Sequence, residues 1–184
     1  VKKVEIPSAE GKKFRGGTAT LLDDRVIVWD AEVATVLHAE GFFGKYEKEK
    51  RLELSLVESA YLLKNATLEV FDREGKRIDF SSFVECARNI EPDFLRKYAI
   101  YEDLREHGLI VKTGFKFGSH FRVYDRFPEK HSKYLVHVVP RMHIFSLQEL
   151  SRAVRLAHTV RKRMVFGYEE SGELRYIDIG RIKP

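Results

Sequence analysis

Cysteine is almost missing from this chain. Cys86 stands alone among 184 residues, which excludes an intramolecular disulfide and a cysteine-rich zinc site and points to a reducing compartment, the cytoplasm. Amides are nearly as scarce: Asn65, Asn89 and Gln148 are all there are. With charged residues at 33%, that scarcity fits the composition of hyperthermophile proteins. No apolar run approaches the ~18 residues that a membrane-crossing helix needs. The opening segment, VKKVEIPSAEGKK, has no apolar h-region, so no secretory leader is expected. Neither G-x-x-x-x-G-K-[ST] nor G-x-G-x-x-G occurs, so the usual phosphate-cradling loops are missing. The seven histidines form no H-x-x-x-H or H-x-H pair. The second half also has no clear D…E-x-K carboxylate cluster of the kind that holds a catalytic metal ion. No metal and no cofactor are expected, and there are no internal repeats or low-complexity segments.

What is present is a core and an uneven charge. A hydrophobic content of 43% is that of a globular protein. The net charge is +5, but residues 1–90 carry −1 and residues 91–184 carry +6. A basic half suggests a polyanionic partner, although mildly basic surfaces without such a partner are also common.

The pattern of elements predicts an α+β protein of two small mixed α/β domains, 1–90 and 91–184, divided near Ile90-Glu91-Pro92. In the first, GTATLLDD and RVIVWD read as a hairpin through Asp23-Asp24. DAEVATVLHAEG reads as a helix capped by Asp30, FFGKYEKEKR as a charged loop, and LSLVESAYLLKNA as a helix opened by a Ser55/Glu58 capping box. TLEVFDREGKRID reads as a strand, a turn and an exit, and SSFVECARNI as a helix. In the second, DFLRKYAIYEDLREHG is an amphipathic helix with Phe94, Tyr98, Tyr101 and Leu104 as core. LIVKTG, FKFG, HFRVYD and KYLVHVVP alternate as strands. SLQELSRAVRLAHTVRK is a helix opened by Ser146/Glu149, with Leu147, Leu150, Val154 and Ala157 as its apolar stripe. RMVFGYE and LRYIDIGRI close the chain around the acidic turn EESGE. The C-terminal domain is thus expected to be a mixed sheet flanked by helices.

The residues with chemical potential lie in that second half. Tyr124 and His131 sit at the two ends of one short loop, an acid/base pair or a common pairing of strand-end residues. Arg152 and Arg155 lie off the apolar stripe of the last helix, and Arg161, Lys162 and Arg163 cluster where it ends. Cations there also serve simply to offset the helix dipole, by ~0.3–1 kcal/mol. His137 and His143 read as a strand and a loop side chain rather than as metal ligands. RNA can be cut without a metal, because its 2′-hydroxyl is a built-in nucleophile. That reaction needs a base, an acid for the leaving 5′-oxygen, and a cation for the developing charge. Histidine suits the acid and lysine the cation. A tyrosine, with a free pKa near ~10, is a poor base unless positive charge lies beside it. Arg126, Lys130 and Lys133 supply such charge in the sequence.

The run YEDLREHGLIVKTGFKFGSHFRVYD…HSKYLVHVVP…RAVRLAHTVRKRMVFG resembles the catalytic domain of the archaeal tRNA-splicing endonucleases, or tRNA-intron lyases. LELSLVESAYLL resembles the N-terminal domain of the same family. The resemblance implies that the C-terminal domain carries a metal-independent nuclease site leaving a 2′,3′-cyclic phosphate and a 5′-hydroxyl. Tyr124 would be the general base, His131 the general acid and Lys162 the charge stabiliser. Arg155 and Arg181 would sandwich a bulge base, with Arg152 and Lys133 as further RNA contacts. The substrate would be precursor tRNA with a bulge-helix-bulge at its intron boundaries. The resemblance also implies a tetramer, either of this chain alone or with a paralogous structural subunit. Edge strands near the C-terminus would pair subunits, and an acidic loop, here Glu169, Glu170 and Glu173, would dock into a partner's basic cleft. The alternative is a non-catalytic or partner-dependent RNA-binding subunit, which would be expected to have lost members of the triad. Lys45, Lys48 and Lys50 read as a solvated loop or as an extra RNA contact.

Overall fold

The computed structural model describes residues 16–47, 51–114, 118–125 and 131–181. Its packing divides the chain into two compact units between Leu95 and Arg96. Among the described residues no helix is long and apolar enough to cross a membrane.

The first unit is a six-stranded sheet with helices. Its strands are β1 (Gly17–Leu22), β2 (Arg25–Val28), β3 (Lys45–Tyr46), β4 (Leu52–Leu54), β5 (Leu68–Phe71) and β6 (Arg77–Ile78), in the order β3-β4-β2-β1-β5-β6. Only β1 and β5 run parallel. The helices are α1 (Ala31–Ala39), α2 (Leu56–Lys64) and α3 (Phe80–Ile90). Asp30 caps α1 as its side-chain oxygen accepts from the amides of Glu32 and Val33. At α2 the capping carboxylate is buried: Glu58 is 3% exposed. One of its oxygens accepts from the Ser55 amide at 2.9 Å and hydroxyl at 2.7 Å, the other from the Gly44 amide at 2.8 Å. One carboxylate therefore starts a helix and pins the turn before β3. Gly44 has φ +61, and a Cβ there would meet the Glu53 carbonyl at 2.5 Å, so only glycine fits.

Two expectations are corrected here. The FFGKYEKEKR segment contains a strand, β3, because Lys45 and Tyr46 pair with Glu53 and Leu52. The exit after the Asp72 turn is another, β6, whose Ile78 and Arg77 pair with Val70 and Phe71. Charge hid both. Lys45 binds Glu53 at 2.9 Å and Arg77 binds Glu69 at 2.8 Å, and such cross-strand ion pairs suit exposed sheet faces. Lys48 and Lys50 lie outside the described residues.

The second unit is a sheet between two helices. Helix α4 (Phe94–Glu106) leads into β7 (Ile110–Thr113), β8 (Phe121–Tyr124), β9 (Tyr134–Val138), α5 (Leu147–Thr159), β10 (Arg163–Glu170) and β11 (Glu173–Ile179). The sheet order is β11-β10-β9-β8-β7. Only β9 and β10 are parallel, and α5 is the connection between them. Phe94, Tyr98, Tyr101 and Leu104 of α4 are all buried, as the sequence pattern predicts. Tyr101 meets Phe121 with ring centres 5.7 Å apart, and Gly167 lets Ile100 approach the sheet closely. The other face packs Leu135, Met164 and Phe166 against Ala157, with Leu150 and Ala153 at its margin. Leu147, expected in that stripe, is instead 85% exposed, and Ala153 takes its place. It occupies the first turn of α5, next to the capping box in which Ser146 and Glu149 bond each other's amides.

Candidate active site

The ladder of the second sheet brings distant parts of the chain to one end. Strand β8 runs antiparallel to β9, in the register Arg122↔Leu135 and Val123↔Tyr134. Strand β10 starts level with β9, in the register Arg163↔Tyr134. The C-terminal end of β8 and the N-terminal ends of β9 and β10 therefore share one edge of the sheet. Backbone bonds continue the alignment: the Lys133 amide donates to the Val123 carbonyl at 2.9 Å, and the Arg163 amide to the Lys133 carbonyl at 3.0 Å. Tyr124, Lys133 and Lys162 stand level at that edge, and His131 lies two residues before Lys133.

Lys162 is the best-fixed side chain of the group. Its ammonium donates to the Ser132 carbonyl at 2.8 Å, tying the start of β10 to the residue after His131. Ser132 is itself buried. Burial, and secondarily the charge of Arg122, pull Lys162 below the ordinary lysine pKa. Arg122 pairs across the sheet with Leu135, which is in the α5-facing core. Tyr124, two residues along the strand, shares that face. His131 is exposed. Arg126 and Lys130 lie outside the described residues.

The helix before Lys162 ends in a Schellman motif. The Lys162 amide donates to the Ala157 carbonyl at 2.8 Å and the Arg161 amide to the His158 carbonyl at 3.0 Å. Arg161 takes the left-handed position with φ 56, a place where glycine is usual. Arg152 and Arg155 are exposed on α5, away from its buried Ala157. Arg181 follows Ile179, the last paired residue of β11, by two positions, at the end of that strand that meets the start of β10. Lys133 is engaged by Asp125 at 3.1 Å, whose carboxylate holds it above the ordinary lysine pKa.

The acidic residues lie at the opposite end. Glu170 pairs with Glu173 across a two-residue turn, Ser171-Gly172, whose φ values of 53 and 81 are the left-handed pair of a type I′ hairpin. Glu169, Glu170 and Glu173 thus belong to strands at a tight tip, not to a loop. Glu170 faces Arg141 at 3.4 Å and Glu173 pairs with Arg175. The eight residues of β10, at about 3.3 Å each, separate this tip from Lys162 by roughly 25 Å.

Among the described residues no group of three or more His, Cys, Asp or Glu is arranged to hold a metal ion. His137 is a strand side chain, stacked on His120 with ring centres 4.4 Å apart.

Residues 17–84 match the model of the tRNA intron endonuclease N-terminal domain, and residues 94–176 that of the tRNA intron endonuclease catalytic C-terminal domain. The chain belongs to the tRNA intron endonuclease family. It is 54% identical over 169 residues to the tRNA-splicing endonuclease of Methanosarcina mazei, an alignment covering 90% of this chain and 48% of that protein. The corresponding proteins of Thermococcus kodakarensis and Hyperthermus butylicus are 40% and 39% identical. Those alignments cover 89% and 80% of this chain and 96% and 87% of theirs. The chain therefore spans about half the length of the Methanosarcina relatives it matches and most of the length of the other two.

Sequence reasoning missed Arg122 and the Ser132 carbonyl, the two groups that set the environment of Lys162. Arg122 carries a readable signal: it is a charge on the half-buried parity of FRVY, where an apolar residue would be usual. The carbonyl carries none, because any residue type supplies it.

Proposed function

We propose that this chain is the catalytic subunit of a tRNA-splicing endonuclease, cutting precursor tRNA at bulge-helix-bulge intron boundaries without a metal. The observation that carries this reading is the alignment of Tyr124 and Lys162 at one sheet edge, with Lys162 bound to the residue after His131. In the proposed reaction the 2′-oxygen attacks the adjacent phosphorus as Tyr124 takes its proton. The bond from phosphorus to the 5′-oxygen breaks as His131 protonates that oxygen. A 2′,3′-cyclic phosphate and a 5′-hydroxyl result. Lys162 stabilises the negative charge of the pentavalent transition state, and a partly desolvated ammonium is more effective there than one in water. Arg155 and Arg181 would clasp an unstacked bulge base, guanidinium planes being good stacking partners, with Arg152 and Lys133 contacting the backbone.

The test is cleavage of a bulge-helix-bulge RNA in EDTA by wild type, His131→Ala and Lys162→Ala. We expect full wild-type activity and two nearly inactive variants. Loss of wild-type cleavage in EDTA, or normal cleavage by both variants, sinks the mechanism.

A partner-dependent reading is favoured by different observations. The edge strand β11 exposes Tyr176 and Ile177, the loop before α5 exposes Met142 and Ile144, and the first turn of α5 exposes Leu147. A strand with one open edge and apolar neighbours is suited to pairing between subunits. The acidic tip is too far along β10 to reach the basic edge of its own sheet, so its complement would lie on another subunit. A homotetramer and a heterotetramer with a paralogous structural subunit are separated by the mass and activity of the chain purified alone.

A further inference from the structure

Most cations of the second unit are already engaged. Lys133 binds Asp125, Arg141 binds Glu170, Arg163 binds Asp178 and Arg175 binds Glu173. Lys162 is held by the Ser132 carbonyl, and Arg122 donates to the Thr113 carbonyl at 3.0 Å. Against this background the guanidinium groups of Arg152, Arg155, Arg161 and Arg181 have no hydrogen bond or ion pair to a described residue. Three of the four are RNA contacts proposed above. The fourth, Arg161, has no role in that mechanism.

Its backbone adds a second observation. Three helices end with the same Schellman bonds. Helix α4 has Gly108 at the left-handed position, with φ 77, whereas α2 has Ala66 at φ 52 and α5 has Arg161 at φ 56. An L-residue there crowds its own Cβ, and glycine relieves that strain. Arg161 thus keeps an exposed, uncompensated charge directly before Lys162 at a backbone position that favours glycine. Strain retained beside a candidate reacting group motivates a functional hypothesis. Ala66 shows that strain alone does not, and it provides the control.

We propose that Arg161 is a phosphate-contacting residue of the RNA site, gripping the backbone beside the phosphate that Lys162 serves. The left-handed turn fixes where the side chain leaves the helix, and the Lys162 amide bond to Ala157 fixes the two residues together. The inference rests on the catalytic reading above.

The experiment measures binding of a bulge-helix-bulge RNA carrying a 2′-deoxy sugar at the cleavage site, which removes the nucleophile and leaves binding alone. Affinity is followed against salt for wild type, Arg161→Gly, Arg161→Lys and Ala66→Gly, with Tm for each. Arg161→Gly should raise Tm by about 2–4 °C, weaken binding several-fold, and lower the log–log salt slope by about one phosphate contact. Arg161→Lys should keep the slope. Ala66→Gly should raise Tm and leave binding unchanged. An unchanged slope in Arg161→Gly, beside a wild type that binds and cleaves and an inactive Lys162→Ala, overturns this inference alone. A wild type that neither binds nor cleaves such RNA overturns the catalytic reading and this inference with it.

Discussion

At the scale of single residues, the second unit treats its ionisable groups in two ways. Lys162 donates to the Ser132 carbonyl and lies near the charge of Arg122, so its charge is fixed in direction and partly desolvated. Removing it should cost the reaction more than the complex: Lys162→Ala is expected to lower single-turnover cleavage by about 10²–10³-fold with little change in RNA affinity. A loss expressed wholly in affinity would make Lys162 a binding residue instead. His120 and His137 are kept neutral. Burial, then the proximity of His137 and Lys97, pulls His120 down to about 3, and burial also lowers His137. The Val138 amide donates to His120 Nδ1 at 2.8 Å, which a proton on that nitrogen would abolish. Their folded pKa values lie below the unfolded value near ~6.5. The unfolded chain therefore takes up protons first as the solution is acidified, and stability should fall from about pH 6.5 toward pH 3. In His120→Asn, whose amide oxygen can still accept from Val138, the fall in Tm over that range should be shallower than in wild type. Parallel curves would show that this histidine is not the titrating group.

At the scale of elements, a few side chains do the work of whole loops. Glu58 joins the start of α2 to the Gly44 turn with three hydrogen bonds from a buried position. Its removal leaves the Gly44 and Ser55 amides without their partner, and Glu58→Ala should cost about 2–4 kcal/mol. Trp29, the only tryptophan, lies in the first unit and reports its unfolding in urea, so an unchanged midpoint would discount the carboxylate. The Glu58 cap was legible from the Ser55/Glu58 spacing, as were Asp30 and Ser146, because a cap depends on near neighbours in sequence. The core of α4 was legible for the same reason, through its helical period. Strands β3 and β6 were not, since two-residue strands are defined by partners elsewhere and their charges mimic a loop. The third bond of Glu58, to Gly44, was hidden likewise. At the sheet edge, residue types suggested which side chains had the right chemistry. The family resemblance supplied the link from Lys162 to Tyr124 and His131. The register that levels Tyr124 with Lys162 is a property of three strands and two connections, and no local pattern encodes it.

At the scale of the molecule, charge is separated along one sheet. The Tyr124–Lys162 edge carries Lys133 and, directly before Lys162, Arg161, and the far end of β10 carries the acidic tip. Within the tip the three glutamates are not equivalent. Glu170 and Glu173 have Arg141 and Arg175 beside them, whereas Glu169 is exposed and has no ion-pair partner among the described residues. If the tip docks on a basic surface of another subunit, Glu169 offers the charge that docking can use without first breaking an internal pair. Opposite potentials across such an interface set register and association rate, and their effect weakens as salt screens them. Glu169→Lys should therefore shift the mass measured by light scattering toward smaller species, more so at low protein concentration. Glu173→Lys, which replaces a charge already spent on Arg175, should shift it less. Both variants keep the Ser171-Gly172 turn and should retain the wild-type circular dichroism spectrum. An assembly whose mass is the same in wild type and Glu169→Lys across dilution and salt would mean that the tip is a solvated hairpin. The proposed subunit pairing would then rest on the edge strand β11 and the apolar residues around the start of α5.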